Sequence, residues 1–303
     1  MLSRWFTLPV AAIIVGLGTH ALILRVLRDV YRKKSQRLSP GDERAAAPGR
    51  FQLQAIGEVS VEIKAHRICA ILQPLFLAAI VAIYYRYHAR LDLQFLVTSI
   101  VACGLVFLFC SWNLVEKGRK HKRLRLDYEA EVEVGQALDQ LTARGYHVYH
   151  GFQQAGIDID HLLVGPKGVF AIETKGHARS TKKSGTDVAT VTYNGHALFF
   201  PRGTDEHTVS GAVKQAGRLS EWLGGETGEE ISARAVVVIP GWYVKRTTSD
   251  GVPVVNPGQF KSLFEHIASR SLSDAQITRI ADLIRQKGSL TTAGENKMTS
   301  HSG

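Results

Sequence analysis

The first third of the chain alternates long apolar stretches with basic ones. Apolar residues fill Leu8–Leu24, Ile68–Tyr85 and Leu93–Val115 without one Asp, Glu, Lys or Arg. A transmembrane helix needs about 20 apolar residues, with a range of roughly 17–25. The pattern therefore predicts an α-helical membrane region over residues 1–117, with helices at about 8–27, 68–85 and 93–115.

Basic residues mark which side of the membrane each loop occupies. Many follow the first and third stretches, whereas only Arg86 and Arg90 separate the second from the third. Because loops rich in Lys and Arg stay in the cytoplasm, the N-terminus is expected outside and everything after Val115 inside. The first stretch could instead be a signal peptide, but only Arg4 precedes it and no small-residue cleavage site follows. We expect a multi-pass protein of the inner (plasma) membrane, with the lipid bilayer as a partner.

From Leu126 onwards the pattern becomes that of a globular domain. Helical spacing predicts a helix over Tyr128–Ala143, and short apolar runs separated by turns predict strands after it. Helices before, between and after the strands indicate an α/β domain whose central sheet is covered on both faces. The predicted strands are 147–152, the hairpin 157–175, 189–193, 196–200, 235–239 and 252–255, and the later helices are 209–223, 259–269 and 274–287.

Two further segments carry weaker signals. Residues 59–64, VSVEIK, alternate and predict a short strand or an interfacial piece. Residues 289–303 are polar and are expected to form a disordered tail, after C-terminal helices within 257–288.

One hairpin carries charges where buried strands should be apolar. Residues Gly156–Lys175 read GIDIDHLLVGPKGVFAIETK, two apolar runs joined by a Gly-Pro-Lys-Gly turn. Symmetric pairing about this turn places Asp160 opposite Glu173 and Asp158 opposite Lys175. Since side chains alternate along a strand, all four are expected on one face. The other face is expected to be core: Ile157, Ile159, Leu163, Phe170 and Ile172.

Such a charged face predicts a cation site. Directly opposed side chains have Cβ atoms about 5 Å apart, and two carboxylates at that distance repel unless a cation lies between them. Carboxylate oxygens suit Mg²⁺, which takes one or two carboxylates and keeps several waters. A lysine beside the ligands can orient a metal-bound water or stabilise charge on a phosphate. The alternative is a structural ion-pair network, with Asp158 bonded to Lys175.

These residues also resemble a known family. An Asp, a hairpin and then Glu-x-Lys resemble the active site of the restriction-endonuclease-like PD-(D/E)xK nucleases, and IDIDHLLVGPKGVFAIETK is similar to the nuclease-related domain, NERD. The resemblance covers about residues 127–256. It implies a restriction-endonuclease-like mixed sheet flanked by helices, with Asp160 and Glu173 as metal ligands and Lys175 as a catalytic residue.

Two more catalytic candidates come from the same resemblance. Glu131 is similar to the acidic residue of the family's first helix, and Gln215 to a glutamine on a later helix. Each has a plainer interpretation, as part of a solvated helix face. The stretch after Lys175, GHARSTKKSGTD, is longer and more basic than the family's; its Arg179, Lys182 and Lys183 could contact phosphates or simply be solvated.

Composition narrows the partners. The net charge of +10 and a pI of about 9.6 favour nucleic acid or anionic lipid. The three cysteines lie in or beside apolar segments, without the spacing of a zinc site.

The sequence therefore predicts a membrane-anchored, Mg²⁺-dependent nuclease that hydrolyses phosphodiester bonds, of DNA rather than RNA. The alternative is a catalytically inactive module that binds nucleic acid or protein at the membrane. A transport function of the helices is disfavoured, because they lack intramembrane charges. The oligomeric state is left open.

Overall fold

The computed structural model describes residues 18, 20–33, 47–88, 93–178, 189–267 and 270–298. It contains two compact units. The first comprises residues 1–40 and 53–125, and the second comprises residues 41–52 and 126–303.

Three long helices make up the described part of the first unit, and two of them include residues of the second. Helix α1 covers residues 20–33, α2 Arg50–His88 and α3 begins at Leu93 and ends at Asp139. In the described part of the chain, two helical segments are long and apolar enough to cross a membrane, Arg50–Tyr87 and Leu93–Arg144. Both expose large apolar side chains, among them Ile71, Leu75, Leu108 and Trp112. Most of the span expected at 8–27 lies outside the described residues.

The helices are longer than the sequence pattern indicates. Residues 59–64 lie inside α2, so the short strand considered there is wrong. Helix α3 joins the third predicted span to the predicted helix Tyr128–Ala143 without a break. The basic run between them has no proline, so nothing in it removes a backbone hydrogen bond from the helix.

The second unit is built on a mixed sheet. Its strands are β1 His147–Gln154, β2 Ile157–Gly165, β3 Gly168–Thr174, β7 Ala233–Val238 and β9 Val254–Val255, in that spatial order. Strands β1, β2 and β3 are antiparallel neighbours, whereas β7 pairs parallel with both β3 and β9.

A second sheet has four strands, which are in spatial order β6 Gly203–Asp205, β5 Leu198–Phe200, β4 Thr190–Tyr193 and β8 Tyr243–Arg246. Strands β4 Thr190–Tyr193 and β5 Leu198–Phe200 form the predicted Asn-Gly hairpin, where the Asn194 side chain accepts the N–H groups of His196 and Ala197. The sequence pattern did not reveal the edge strands β6 Gly203–Asp205 and β8 Tyr243–Arg246.

The five-stranded sheet is covered on both faces, as predicted. On one face, Leu162 and Val164 join a core with α4 His207–Thr227 and α6 Asp274–Met298. On the other face, Leu163 and Phe170 pack in a core with residues of α3 and of α5 Phe260–His266. Helix α6 ends at Met298, and so extends through most of the tail that was expected to be disordered.

The hairpin has the predicted register but not the predicted faces. Strands β2 and β3 pair from Gly165–Gly168 to His161–Ile172. Ile157 and Ile159, however, belong to the core of Leu162 rather than to that of Leu163. The expectation of one continuous core face is therefore wrong.

The change of face coincides with an unusual residue on the neighbouring strand. Between the paired residues His150–His161 and Phe152–Ile159, Gly151 adopts a left-handed φ of 67°. The two strands keep one residue opposite one across this point, so the change occurs without an inserted residue.

Candidate active site: a buried carboxylate cluster

Three acidic side chains approach one another at the end of the β2–β3 pair. Glu131 comes from α3 and is 5% exposed, while Asp160 on β2 and Glu173 on β3 are half-buried. Burial raises the pKa of Glu131 to about 9, and repulsion from Asp160, Asp127 and Glu173 adds to the effect. The same causes raise the pKa of Glu173 to about 8 and that of Asp160 to about 7. Carboxyls with pKa values of about 8 and 9 keep their protons at pH 7, so the surroundings oppose full ionisation of the cluster.

Backbone hydrogen bonds fix the position of Asp160. The ladder between β2 and β3 stops at His161, and one residue further the Asp160 carboxylate accepts the N–H of Thr174 at 2.7 Å. This bond holds the carboxylate at the gap between the two strands, next to Glu173. It also favours the ionised form of Asp160, against the larger effect of burial.

Lys175 follows Glu173 at the end of β3. Its backbone N–H donates to the Val238 carbonyl at 2.9 Å, so the chain stays beside β7 as far as this residue. The ammonium group lowers the pKa values of Asp160, Glu173 and Asp205. No ion pair joins Lys175 to Asp158 or to any other carboxylate in the described part of the chain. The structure thus shows a lysine in the electrostatic field of the cluster rather than a closed salt bridge.

Asp205 was not among the predicted site residues. Its carboxylate accepts the N–H groups of His207 and Thr208 at 3.0 and 2.9 Å and the Thr208 hydroxyl at 2.7 Å. It therefore caps the start of α4 and places a negative charge within reach of Lys175.

Asp127 was also missed. It lies one helical turn before Glu131, so both side chains share a face of α3, and its charge raises the pKa values of Glu131, Asp160 and Glu173. Gly176 makes this proximity possible: a Cβ there would lie 2.6 Å from the Leu126 carbonyl oxygen and 2.8 Å from the Asp127 nitrogen. The spacing of four residues between Asp127 and Glu131 was the signal available in the sequence.

Asp158 and Gln215 lie together at the start of β2. The Gln215 side-chain oxygen accepts the N–H of Asp158 at 3.2 Å, and the Asp158 carboxylate accepts a hydrogen bond from Gln153 at 3.0 Å. Gln215 therefore contacts the strand that carries Asp160 rather than the three carboxylates themselves.

The donor set matches a hard divalent cation. All three side chains offer carboxylate oxygens, and a cation would favour their ionised forms against the burial and the smaller mutual repulsion that raise their pKa values. In the described ranges, however, no three His, Cys, Asp or Glu side chains are grouped closely enough to enclose a metal ion.

His161, the residue after Asp160, is a core residue. It is fully buried, and its Nδ1 lies 2.8 Å from the Nδ1 of His150, whose Nε2 contacts Asp139 at 3.1 Å. Burial, with a contribution from His150, lowers the pKa of His161 to about 3. The ring is therefore neutral and belongs to a hydrogen-bonded chain on the far side of β2.

An aromatic clamp holds the chain just past Lys175. The His177 ring stacks on Phe200 with centroids 3.8 Å apart, and the Trp242 indole N–H donates to the His177 carbonyl at 3.2 Å. The basic residues Arg179, Lys182 and Lys183, considered as phosphate contacts, lie outside the described residues.

Comparison with known proteins identifies the domain that holds this cluster. No curated protein and no solved structure matches the chain. A family model does match, and its range includes Glu131, Asp160, Glu173, Lys175 and Gln215. The model is that of the nuclease-related domain, NERD, and it matches residues 126–240.

Proposed function

We propose that the nuclease-related domain is a Mg²⁺-dependent nuclease that hydrolyses phosphodiester bonds, of DNA in preference to RNA. The observation that carries the proposal is that Glu131 of α3, Asp160 of β2 and Glu173 of β3 lie together beside Lys175, in surroundings where burial and, to a smaller extent, their mutual repulsion raise the pKa of each carboxyl. Perturbed carboxylates beside a free lysine are typical of catalytic sites. The resemblance to PD-(D/E)xK nucleases supplies the substrate class.

Each residue in or beside the cluster would have a separate role. Asp160 and Glu173 would hold the cation, with Glu131 as a third acidic group beside them. A divalent ion in this place supplies Lewis-acid polarisation of a phosphate and lowers the pKa of a bound water. Lys175, attracted by Glu173 and Asp205, stabilises the negative charge that develops on the phosphate. Gln215 supports the start of β2 through the Asp158 N–H.

The experiment is a cleavage assay with the purified full chain. Wild-type protein is expected to cut plasmid DNA with Mg²⁺ and not with a chelator. Glu173→Ala and Lys175→Ala should each reduce the rate by a hundredfold or more, about 3 kcal/mol of transition-state stabilisation. Glu133→Gln, a change at an exposed carboxylate of the same helix, is the control. Equal cleavage by wild type and Glu173→Ala, or none with any divalent cation, would refute the proposal.

A catalytically inactive module that binds nucleic acid or protein is the second candidate. The lack of a closed three-ligand group in the described residues favours it. Such a module would bind DNA equally well with and without Mg²⁺, and Lys175→Ala would not change its affinity. A filter-binding titration run beside the cleavage assay separates the two functions.

We also propose that the N-terminal helices anchor this domain to the inner (plasma) membrane, with the domain in the cytoplasm. Two apolar helical segments in the described residues and their exposed Leu, Ile and Trp side chains support it. A polar network joins the helices: Glu62 pairs with Arg28 at 2.6 Å and with Lys117 at 2.9 Å. Protease digestion of intact spheroplasts tests the orientation, because a cytoplasmic domain should resist it until the membrane is opened.

A further inference from the structure

A short segment far upstream of the nuclease-related domain packs on it. Residues 41–52 belong to the same compact unit as residues 126–303, although the family match begins only at residue 126. The described part includes Pro48–Phe51, which we call the strap. Its position raises the question of whether it contributes to the carboxylate cluster.

Glycines make room for the strap. A Cβ on Gly135 of α3 would lie 2.7 Å from the Pro48 Cβ, and one on Gly151 of β1 would lie 2.9 Å from the Phe51 ring. Real Cβ atoms do not approach other atoms so closely, so both positions need glycine for the strap to lie flush on the domain. Two separate elements of the domain are therefore shaped to receive it.

Gly49 is the centre of this contact. It has a left-handed φ of 74°, and a Cβ there would lie 2.6 Å from the Tyr128 ring. Its backbone N–H donates a hydrogen bond to the carboxylate of Glu131. Tyr128 and Glu131 lie one turn apart on α3, so the strap is held beside the first acidic residue of the cluster.

We propose that the strap is a working part of the active site, in which Gly49 is a positioning residue that orients the Glu131 carboxylate towards a cation held by Asp160 and Glu173. The inference rests on the proposed nuclease function. It adds to that function a component from outside the matched domain. The backbone N–H is suited to this role, because a hydrogen bond fixes the carboxylate without adding a side-chain charge that would compete with the cation.

The test uses the full chain with two readouts: the Mg²⁺ concentration at half-maximal cleavage, and the Mg²⁺ concentration that gives half of the Mg²⁺-induced rise in the unfolding midpoint without DNA. Gly49→Ala places a methyl group against Tyr128 and should raise that concentration about 10- to 100-fold, as is usual when the partner of a metal-site residue is removed. The KM for DNA should not change, because the proposed role acts on the cation and not on DNA. Gly228→Ala is the matched control: its φ is 70°, and a Cβ there meets nothing within 4 Å.

Gly135→Ala separates positioning from folding. This substitution sits inside a helix, where alanine is intrinsically better than glycine, yet its methyl group pushes Pro48 away. It should raise the Mg²⁺ requirement without lowering the thermal unfolding midpoint. Adding Tyr128→Ala to Gly49→Ala should restore most of the lost Mg²⁺ affinity, because the space for the methyl group returns.

A double-mutant cycle with Glu131→Gln tests whether Gly49 acts through Glu131. If the strap acts through Glu131, Gly49→Ala should have no further effect on the Mg²⁺ requirement in the Glu131→Gln background. Wild-type activity with an unchanged Mg²⁺ requirement in both Gly49→Ala and Gly135→Ala would overturn the inference while leaving the proposed function intact. Absence of Mg²⁺-dependent cleavage by the wild type would instead overturn the proposed function.

Discussion

Glu131→Gln should stabilise the metal-free protein while impairing its Mg²⁺-dependent cleavage. The pKa of Glu131 rises from 4.5 to about 9 on folding, chiefly because the carboxyl is buried and faces Asp160. When folding raises the pKa of a carboxyl, the folded state keeps a proton that the unfolded state has lost at the same pH. Stability is therefore complete below pH 4.5 and declines as the pH rises towards 9.

The size of the effect follows from the same pKa values. At pH 7 the unfolded carboxyl of pKa 4.5 has lost its proton. Binding that proton again on folding costs about 1.36 kcal/mol for each pH unit between 4.5 and 7, or about 3 kcal/mol in total. Glutamine keeps the shape and the oxygen that accepts the Gly49 N–H, and it needs no proton. The gain should be about 3 kcal/mol at pH 7, and about 1 kcal/mol or less at pH 5.

Thermal unfolding in a chelator-containing buffer measures this gain. For a unit of this size, about 3 kcal/mol corresponds to an increase of roughly 6–12 °C in the unfolding midpoint. Glu133→Gln, at an exposed position two residues along the same helix, should leave the midpoint within about 1 °C. An equal midpoint for wild type and Glu131→Gln at pH 7, or a gain that does not grow between pH 5 and pH 7, would refute the reasoning.

Three further outcomes are expected. Mg²⁺ should raise the unfolding midpoint of the wild type more at pH 8 than at pH 6. The pKa of Asp160 is about 7 and that of Glu173 about 8, so protons compete with the ion at the lower pH. Titration with a chelator should reverse the increase, and a gain independent of pH would contradict the assignment. Gly176→Ala should destabilise the fold by about 1–3 kcal/mol, since its Cβ would lie 2.6 Å from the Leu126 carbonyl oxygen, whereas Gly211→Ala, where a Cβ meets nothing within 4 Å, should be neutral or slightly stabilising in chemical denaturation. Asp205→Asn should cost about 1 kcal/mol or less, because asparagine still caps α4, but should reduce the cleavage rate by loosening Lys175; an unchanged rate would remove Asp205 from the site.

The sequence predicts the hairpin well because the turn itself determines the pairing. Gly165 and Gly168 bracket a two-residue connection, and the register that follows from it is the observed one as far as His161–Ile172. The faces could not be predicted in the same way. The side chains of β2 change face beside the left-handed Gly151 of the neighbouring strand, and the alternation of residues within β2 does not indicate this position.

In the carboxylate cluster, too, some residues could be predicted from the sequence and others could not. Asp160 and Glu173 were predictable because both stand in apolar runs, where a charge is conspicuous. Asp127 and Asp205 were not, because they lie among other polar residues and acquire meaning only when Gly176 and the start of α4 bring them near Lys175. The strap follows no helical or strand period that points to the domain, so only the fold reveals its contact with Glu131.

The clamp formed by His177, Phe200 and Trp242 has a consequence for how this domain can diversify. The clamp fixes the chain two residues after Lys175, and the strand β4 resumes at Thr190. The position of the lysine backbone therefore depends on three residues that are distant from one another in sequence. Related sequences should be able to change Phe200 or Trp242 only where another ring stack or another N–H donor holds the backbone at His177.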